Sequence, residues 1–329
     1  MSRNFEKTPG RASYRASPSL ALIKYWGKRD NRLNIPATSS LAVTLKGLDT
    51  RTTTTLTEGE DRVILDGAQT DPNRYNSIFE EIRRVLDKSC RFSVESANNF
   101  PTAAGLASSS SGFAALTCSC VRAAGVELSS ESLSAIARIG SASAARSLYA
   151  GFVGLEAGAE NAVPLFPVDH WPDLKIVVVA VKTGRKPVSS RQAMEATRES
   201  SPYYRAWLED SNSLYRDALD ALGGRDIEHL GSLMNLSYMR MFGTMLSASP
   251  NILYWLPGSI ALIHGCRELR KGGLGAWETM DAGPQVKIVC LEKDLEEILR
   301  FVNKMPYDFK ILVTAPGDAP SLTEPGRDV

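Results

Sequence analysis

The chain has 329 residues, of which 43% are hydrophobic and 23% charged, with a formal net charge of +1. That length allows two lobes or one large α/β unit whose core needs no covalent staples. The near balance of charge excludes a protein held to nucleic acid by massed phosphate neutralisation, so any anion site must be local. Five cysteines (Cys90, Cys118, Cys120, Cys266 and Cys290) make an odd set without zinc-site or disulfide spacing, which points to a reduced, cytoplasmic protein. The first apolar run is interrupted by Lys24 and Lys28 too soon for a signal peptide. No stretch approaches the ~20 apolar residues of a membrane span. His170, His229 and His264 are too few for a multi-histidine metal site.

In chain order, residues 16–45 alternate short apolar runs with polar breaks, and SSLAVTL (39–45) alternates as a half-buried strand does. The threonine-rich residues 50–57 have high β propensity and should pair nearby. Residues 76–88 place Ile78, Ile82, Val85 and Leu86 near helical spacing. A strand at 92–95 leads into a loop of small residues, PTAAGLASSSSG (101–112), and a buried helix over 110–124 follows. Residues 130–139 read as a helix capped by Ser129 or Ser130. IVVVAV (176–181) reads as a central strand, 191–246 as a long polar and helical region, 257–269 as a helix, 286–291 as a strand and 294–302 as a helix. The change of character over 182–190 suggests one domain over 1–185 and a second over 186–316. The Pro-, Gly- and Asp-rich tail 317–329 is expected to be loose.

Several segments could carry chemistry. In 101–112, small residues let backbone N–H groups approach phosphate oxygens at the start of a helix, although the loop is neither a Walker loop nor a GxGxxG turn. A close-packed turn with a serine cap reads equally well. Lys24, Tyr25, Trp26, Gly27, Lys28 and Arg29 form either a solvated basic patch or a small anion site with an aromatic anchor. Asp281, in MDAGP, has the surroundings of an ordinary turn residue. Ser141, Ser143 and Arg146 read as a helix cap with an arginine, and Ser190, Arg191 and Met194 as the start of a serine-capped helix.

The whole pattern narrows these choices. NNFPTAAGLASSSSG (98–112) resembles the phosphate-binding loop of the GHMP small-molecule kinases, in the version of the mevalonate diphosphate decarboxylases. ALIKYWGKRD (21–30), GSASAARSLYAGF (140–152), VSSRQAM (188–194) and TMDAGP (279–284) resemble the same family in the same order. The resemblance implies an α+β, two-lobed GHMP kinase fold, with ATP and a phosphorylated mevalonate meeting in the cleft and no organic cofactor. Asp281 would act on the tertiary hydroxyl, Lys24 would stabilise developing charge, and Arg146 would meet the carboxylate. Tyr25, Lys28, Ser141, Ser143, Ser190, Arg191 and Met194 would line the substrate. Ser96, Ala103, Ala104, Gly105, Leu106, Ala107, Ser108, Ser109 and Ser110 would hold the nucleotide, with Ser108 touching Mg2+. A homodimer is also implied.

The chain departs from the family pattern at Ala142 and Ala150, where glycine is common, at Thr38, where asparagine is common, and at Phe242, where histidine is usual. An added methyl at Ala142 could crowd the substrate diphosphate. Decarboxylation of the monophosphate, phosphorylation at the 3-hydroxyl without decarboxylation, and a non-enzymatic nucleotide-binding relative therefore stand beside the diphosphate reading.

Overall fold

The computed structural model describes residues 10–100, 108–182 and 187–324. The chain enters through β1 (Arg11–Ala16) and β2 (Ser19–Ile23), makes a short hairpin of β3 (Lys28–Asp30) and β4 (Ile35–Pro36), and returns as β5 (Ser40–Thr44). Then come β6 (Thr50–Thr57), β7 (Arg62–Leu65), β8 (Ala68–Gln69), α1 (Asn76–Leu86) and β9 (Arg91–Asn98). α2 (Ser108–Ala123) and α3 (Ser130–Gly140) precede a 3₁₀ turn, Ala142–Leu148, followed by β10 (Phe152–Leu155), β11 (Val163–Phe166) and β12 (Leu174–Ala180). Helices α4 (Ser190–Ser200), α5 (Tyr204–Gly223), α6 (Ile227–Leu246) and α7 (Pro257–Lys271) lead to β13 (Trp277–Met280) and β14 (Val286–Leu291). The chain closes with α8 (Glu292–Asn303), β15 (Lys310–Thr314) and β16 (Ser321–Thr323).

Local chemistry sets the element ends. Ser129 caps α3 by accepting the Ser132 N–H at 3.2 Å. α1 stops where Asp87 turns left-handed at φ 49°. Ser189 and Gln192 form a reciprocal capping box at the start of α4.

Among the described residues, three sheets are ordered β16-β1-β6-β9-β7-β8, β11-β10-β5-β2 and β13-β14-β12-β15, beside the β3-β4 pair. The alternating threonines of β6 explain how α2 sits on the first sheet. Thr50, Thr52 and Thr54 are buried. Thr50 meets Ser111 at 2.6 Å and Thr54 meets Ser119 at 2.7 Å, so hydroxyls rather than methyls join strand to helix. The second and third sheets share one core. Leu20, Leu22, Leu41 and Val43 pack with Ile176, Val178 and Val289 around Leu214, Leu230 and Met234 of α5 and α6. α6 approaches β13 closely because residue 231 is glycine: a Cβ there would lie 2.0 Å from the Trp277 ring.

Two boundary expectations change. β12 precedes residue 185, yet it hydrogen-bonds to β14 and β15, so the sheet of the second half begins at Leu174. The tail is ordered through Glu324. β16 pairs antiparallel with β1, and Gly317 donates to the Thr44 carbonyl at 2.7 Å, which returns the chain end to the first half. Composition suggested a loose end, but an open strand edge supplied partners for its backbone. Residues 325–329 lie outside the described residues.

Candidate active site

The loop after β2 brings Lys24 under the end of β13. Its side chain is 1% exposed, and its Nζ donates to the Ala21 carbonyl at 2.7 Å and to Asp281 Oδ1 at 2.9 Å. Its backbone N–H is held by Ser237 of α6 at 2.9 Å. The loop turns sharply at Gly27, where both the φ of +102° and the Tyr204 hydroxyl, 2.0 Å from where a Cβ would stand, require glycine. Thr38 accepts the Trp26 N–H at 3.1 Å, so this departure from the family pattern holds the Lys24–Gly27 turn.

Asp281 receives a second cation that was not legible in the sequence. Lys287 of β14, with a side chain 2% exposed, donates to Oδ2 at 2.9 Å. The signal for it was a lysine inside VKIVCL, a strand with no other charged residue. Burial pushes the Asp281 carboxyl up, but the charges and hydrogen bonds of Lys24 and Lys287 outweigh it and hold the group well below the carboxylate range. Burial lowers Lys24 to about 8, against the opposing pull of Asp281 and with added repulsion from Lys287 and Arg146.

Arg146, in the 3₁₀ turn after α3, is 2% exposed. Its Nη1 donates to Ser40 Oγ of β5 at 2.7 Å, while its buried Nε has no hydrogen-bond partner among the described residues. Burial lowers it to about 10, with Asp281 pulling the other way. Tyr25 Oη is likewise buried without a partner among the described residues, and burial pushes its phenol up. Lys24, Lys287 and Arg146 against Asp281 leave a surplus of buried positive charge, an arrangement that is costly until an anion enters.

A second basic group lies nearby. Lys28 of β3 is lowered to about 8 by burial and by the facing charge of Arg191 at the start of α4, against Glu195. Ser141 and Ser143 hydroxyls meet at 3.0 Å beside the Arg146 turn. Ser190 opens α4, whereas Met194 turns its side chain into the core around Trp26 and Tyr204. Ala142 is 3% exposed and packs with Ala145, Val153, Leu155 and Ala162, so its methyl is core. Phe242 stacks on Trp255 at 5.1 Å, also in the core.

Of the nucleotide candidates, Ala103, Ala104, Gly105, Leu106 and Ala107 lie outside the described residues. Ser108 and Ser109 open α2, and the N-terminal end of a helix is the end that favours an anion. Ser110 is fully buried and accepts the Ser19 N–H at 3.3 Å, so its hydroxyl serves the junction of α2 with β2. Ser96 bonds Thr52 within the sheet at 2.9 Å.

Two domain families match in succession. The diphosphomevalonate decarboxylase-like N-terminal domain covers residues 16–163, and the mevalonate 5-diphosphate decarboxylase C-terminal domain covers residues 176–315. The chain belongs to the diphosphomevalonate decarboxylase family. The human diphosphomevalonate decarboxylase is 34% identical over 90% of this chain and 81% of its own length. Mevalonate diphosphate decarboxylase from Staphylococcus aureus superposes with a TM-score of 0.90 at 33% identity, covering 96% of this chain and 98% of that one. A complex of the protein designated MDDEF with MVAPP, AMPPCP and magnesium superposes with a TM-score of 0.89 at 35% identity, covering 96% and 99%. The fold is thus the α+β GHMP kinase fold of these decarboxylases, with Lys24 from the first half of the chain meeting Asp281 and Lys287 from the second.

Proposed function

We propose that this chain uses ATP to convert mevalonate 5-diphosphate into isopentenyl diphosphate, carbon dioxide, ADP and phosphate. The observation that carries the reading is the pairing of the buried Lys24 with the half-buried Asp281 beside Arg146, whose Nε lacks a partner among the described residues. Asp281 orients the tertiary hydroxyl and takes its proton as that oxygen bonds to the γ-phosphorus and ADP leaves. Lys24, fixed by the Ala21 carbonyl, stabilises the charge on the transferring group. The C3–O bond then breaks, phosphate leaves with its electron pair, and C3 becomes electron-poor. The bond from C2 to the carboxylate breaks, its electrons form the C2=C3 alkene, and carbon dioxide departs. Arg146 positions that carboxylate through its forked donors and excludes water by its burial.

Lys28 and Arg191, two cations facing one another, support a terminal phosphate subsite, with Tyr25, Ser141, Ser143 and Ser190 around it. The methyl of Ala142 is buried in a cluster with Ala145, Val153, Leu155 and Ala162, against which Tyr25 packs, and so does not by itself stand against the diphosphate. Ser108 and Ser109 at the α2 N-terminus suit the ATP phosphates, with the small residues of 101–107 ahead of them. Among the described residues no cluster of three or more His, Cys, Asp or Glu stands ready for a metal. Mg2+ would rest on phosphate oxygens, water and the half-buried Ser108 hydroxyl, neutralising phosphate charge when bound. We divide the chain between residues 163 and 174, between the first domain match and β12. We also assign it to the cytoplasm, in keeping with its free thiols, and to a homodimer, which would cover exposed apolar side chains such as Leu236, Leu246 and Ile260. No helix of the described residues is long and apolar enough to cross a membrane.

The test is ATP-dependent release of carbon dioxide and phosphate from mevalonate, its 5-phosphate and its 5-diphosphate, each offered alone. Turnover of the diphosphate alone is expected. Preference for the monophosphate, or ADP without carbon dioxide, would replace the reading by the corresponding relative.

A further inference from the structure

Lys287 has no place in the motifs that suggested the site, yet it is bound as tightly to Asp281 as Lys24 is. It lies on β14 directly opposite Thr279 of β13, and so on the same face of the sheet. Asp281 follows Thr279 by two residues, so the lysine reaches diagonally past Thr279 to the carboxylate. Val178 of β12, its other cross-strand neighbour, belongs to the core shared by the second and third sheets. A lysine whose stem is enclosed by strands has little freedom to place its ammonium elsewhere.

We propose that Lys287 is a positioning residue for the reaction: by holding Oδ2 while Lys24 holds Oδ1, it fixes the plane of the Asp281 carboxylate at the reacting hydroxyl. The assignment rests on the reading that Asp281 takes the proton of that hydroxyl. With one ammonium on each oxygen, rotation of the carboxylate would leave a buried ammonium without its partner, so one orientation is held. The same contacts keep Asp281 ionised but weakly basic at rest. A phosphoryl group drawing either ammonium towards itself leaves the carboxylate more basic as the hydroxyl loses its proton. The charged groups facing Asp281 among the described residues are Lys24 from the loop after β2, Lys287 from β14 and Arg146 from the 3₁₀ turn. Tyr238 of α6 is engaged with Glu278 instead, at 3.1 Å.

The test compares wild type, Lys287→Met and Lys287→Arg by kcat and KM across pH, thermal unfolding, and carboxyl NMR titration of Asp281 in protein labelled at aspartate. Lys287→Met should lower kcat ~10–100-fold with little change in KM, and raise the Asp281 titration and the acid limb of kcat by about one unit or more. Lys287→Arg should retain the wild-type acid limb. In an Asp281→Asn background, Lys287→Met should cost almost nothing further, because the lysine acts through the carboxylate. Folded Lys287→Met with wild-type kcat and an unshifted Asp281 titration would overturn the proposal. If Lys287→Met does not fold, Lys287→Gln takes its place under the same criteria. Wild-type protein that releases no carbon dioxide from the diphosphate would sink the functional reading, whereas the NMR titration still decides whether Lys287 governs Asp281.

Discussion

Lys24 and Asp281 are 257 residues apart in sequence and joined by a 2.9 Å ion pair, one partner on the loop after β2 and the other just past β13. The pair places the proposed reacting groups where the two halves of the chain meet, so anything that separates the halves also breaks this contact.

Asp281→Asn keeps the shape of the side chain and removes the proton acceptor, leaving two buried ammoniums against a neutral amide. ADP and carbon dioxide formation should fall together, by ~10²–10⁴-fold, with nucleotide still bound in a calorimetric titration. ADP release at the wild-type rate would show that the carboxylate is not needed for phosphoryl transfer.

The lowered lysines give opposite signs for activity and stability. Lys24 and Lys28 both titrate at about 8 when folded, below the ordinary 10.5. In the free protein their charge is lost as pH rises through about 8, so kcat/KM should fall on that side. Bound polyanionic substrate favours the charged lysines, so the basic limb of kcat should lie higher. Stability moves the other way: between about 8 and 10.5 the unfolded chain holds more of these protons, and their contribution improves as pH rises. Lys28→Met should therefore be more urea-resistant than wild type at neutral pH, with the gap narrowing towards about pH 10.5. A gap that widens with pH would contradict the lowered value.

Ala142→Gly would restore the residue common in the family, but the methyl packs against Val153 and Leu155. The change should leave the ratio of kcat/KM for the diphosphate and monophosphate unaltered and cost about 1 kcal/mol of stability. A large gain in diphosphate preference would mean that the methyl does limit the subsite.

Deleting residues 317–329 should lower the unfolding temperature and promote association. It strips β16 from β1 and removes the 2.9 Å bond from the Gly151 N–H to the Gly317 carbonyl, leaving an open strand edge. Sedimentation and thermal unfolding of the shortened chain check both effects, and an unchanged unfolding temperature would count against a structural role for the strap.

Much of the local structure was legible because its determinants are local. The near-helical spacing of Ile78, Ile82, Val85 and Leu86, the Ser129 cap and the threonine-rich run of β6 act within a few residues, and α1, α3 and β6 formed where they indicate, although α1 buries Phe79 and leaves Val85 exposed. The short strands β3, β4, β7, β8 and β16 lack enough residues to show a period, and their pairing depends on partners elsewhere in the chain.

The sequence by itself determined which residue types could do chemistry and, through five ordered motifs, the family in which Lys24, Arg146 and Asp281 belong together. Only the tertiary structure decided that Lys287 pairs with Asp281, that Ser110 and Met194 face inward, and that the departures at Ala142, Thr38 and Phe242 serve packing and turn geometry. A motif records neighbours along the chain. Burial, charge balance and hydrogen-bond supply at a site are set by neighbours across it, and here those come from strands and helices hundreds of residues apart.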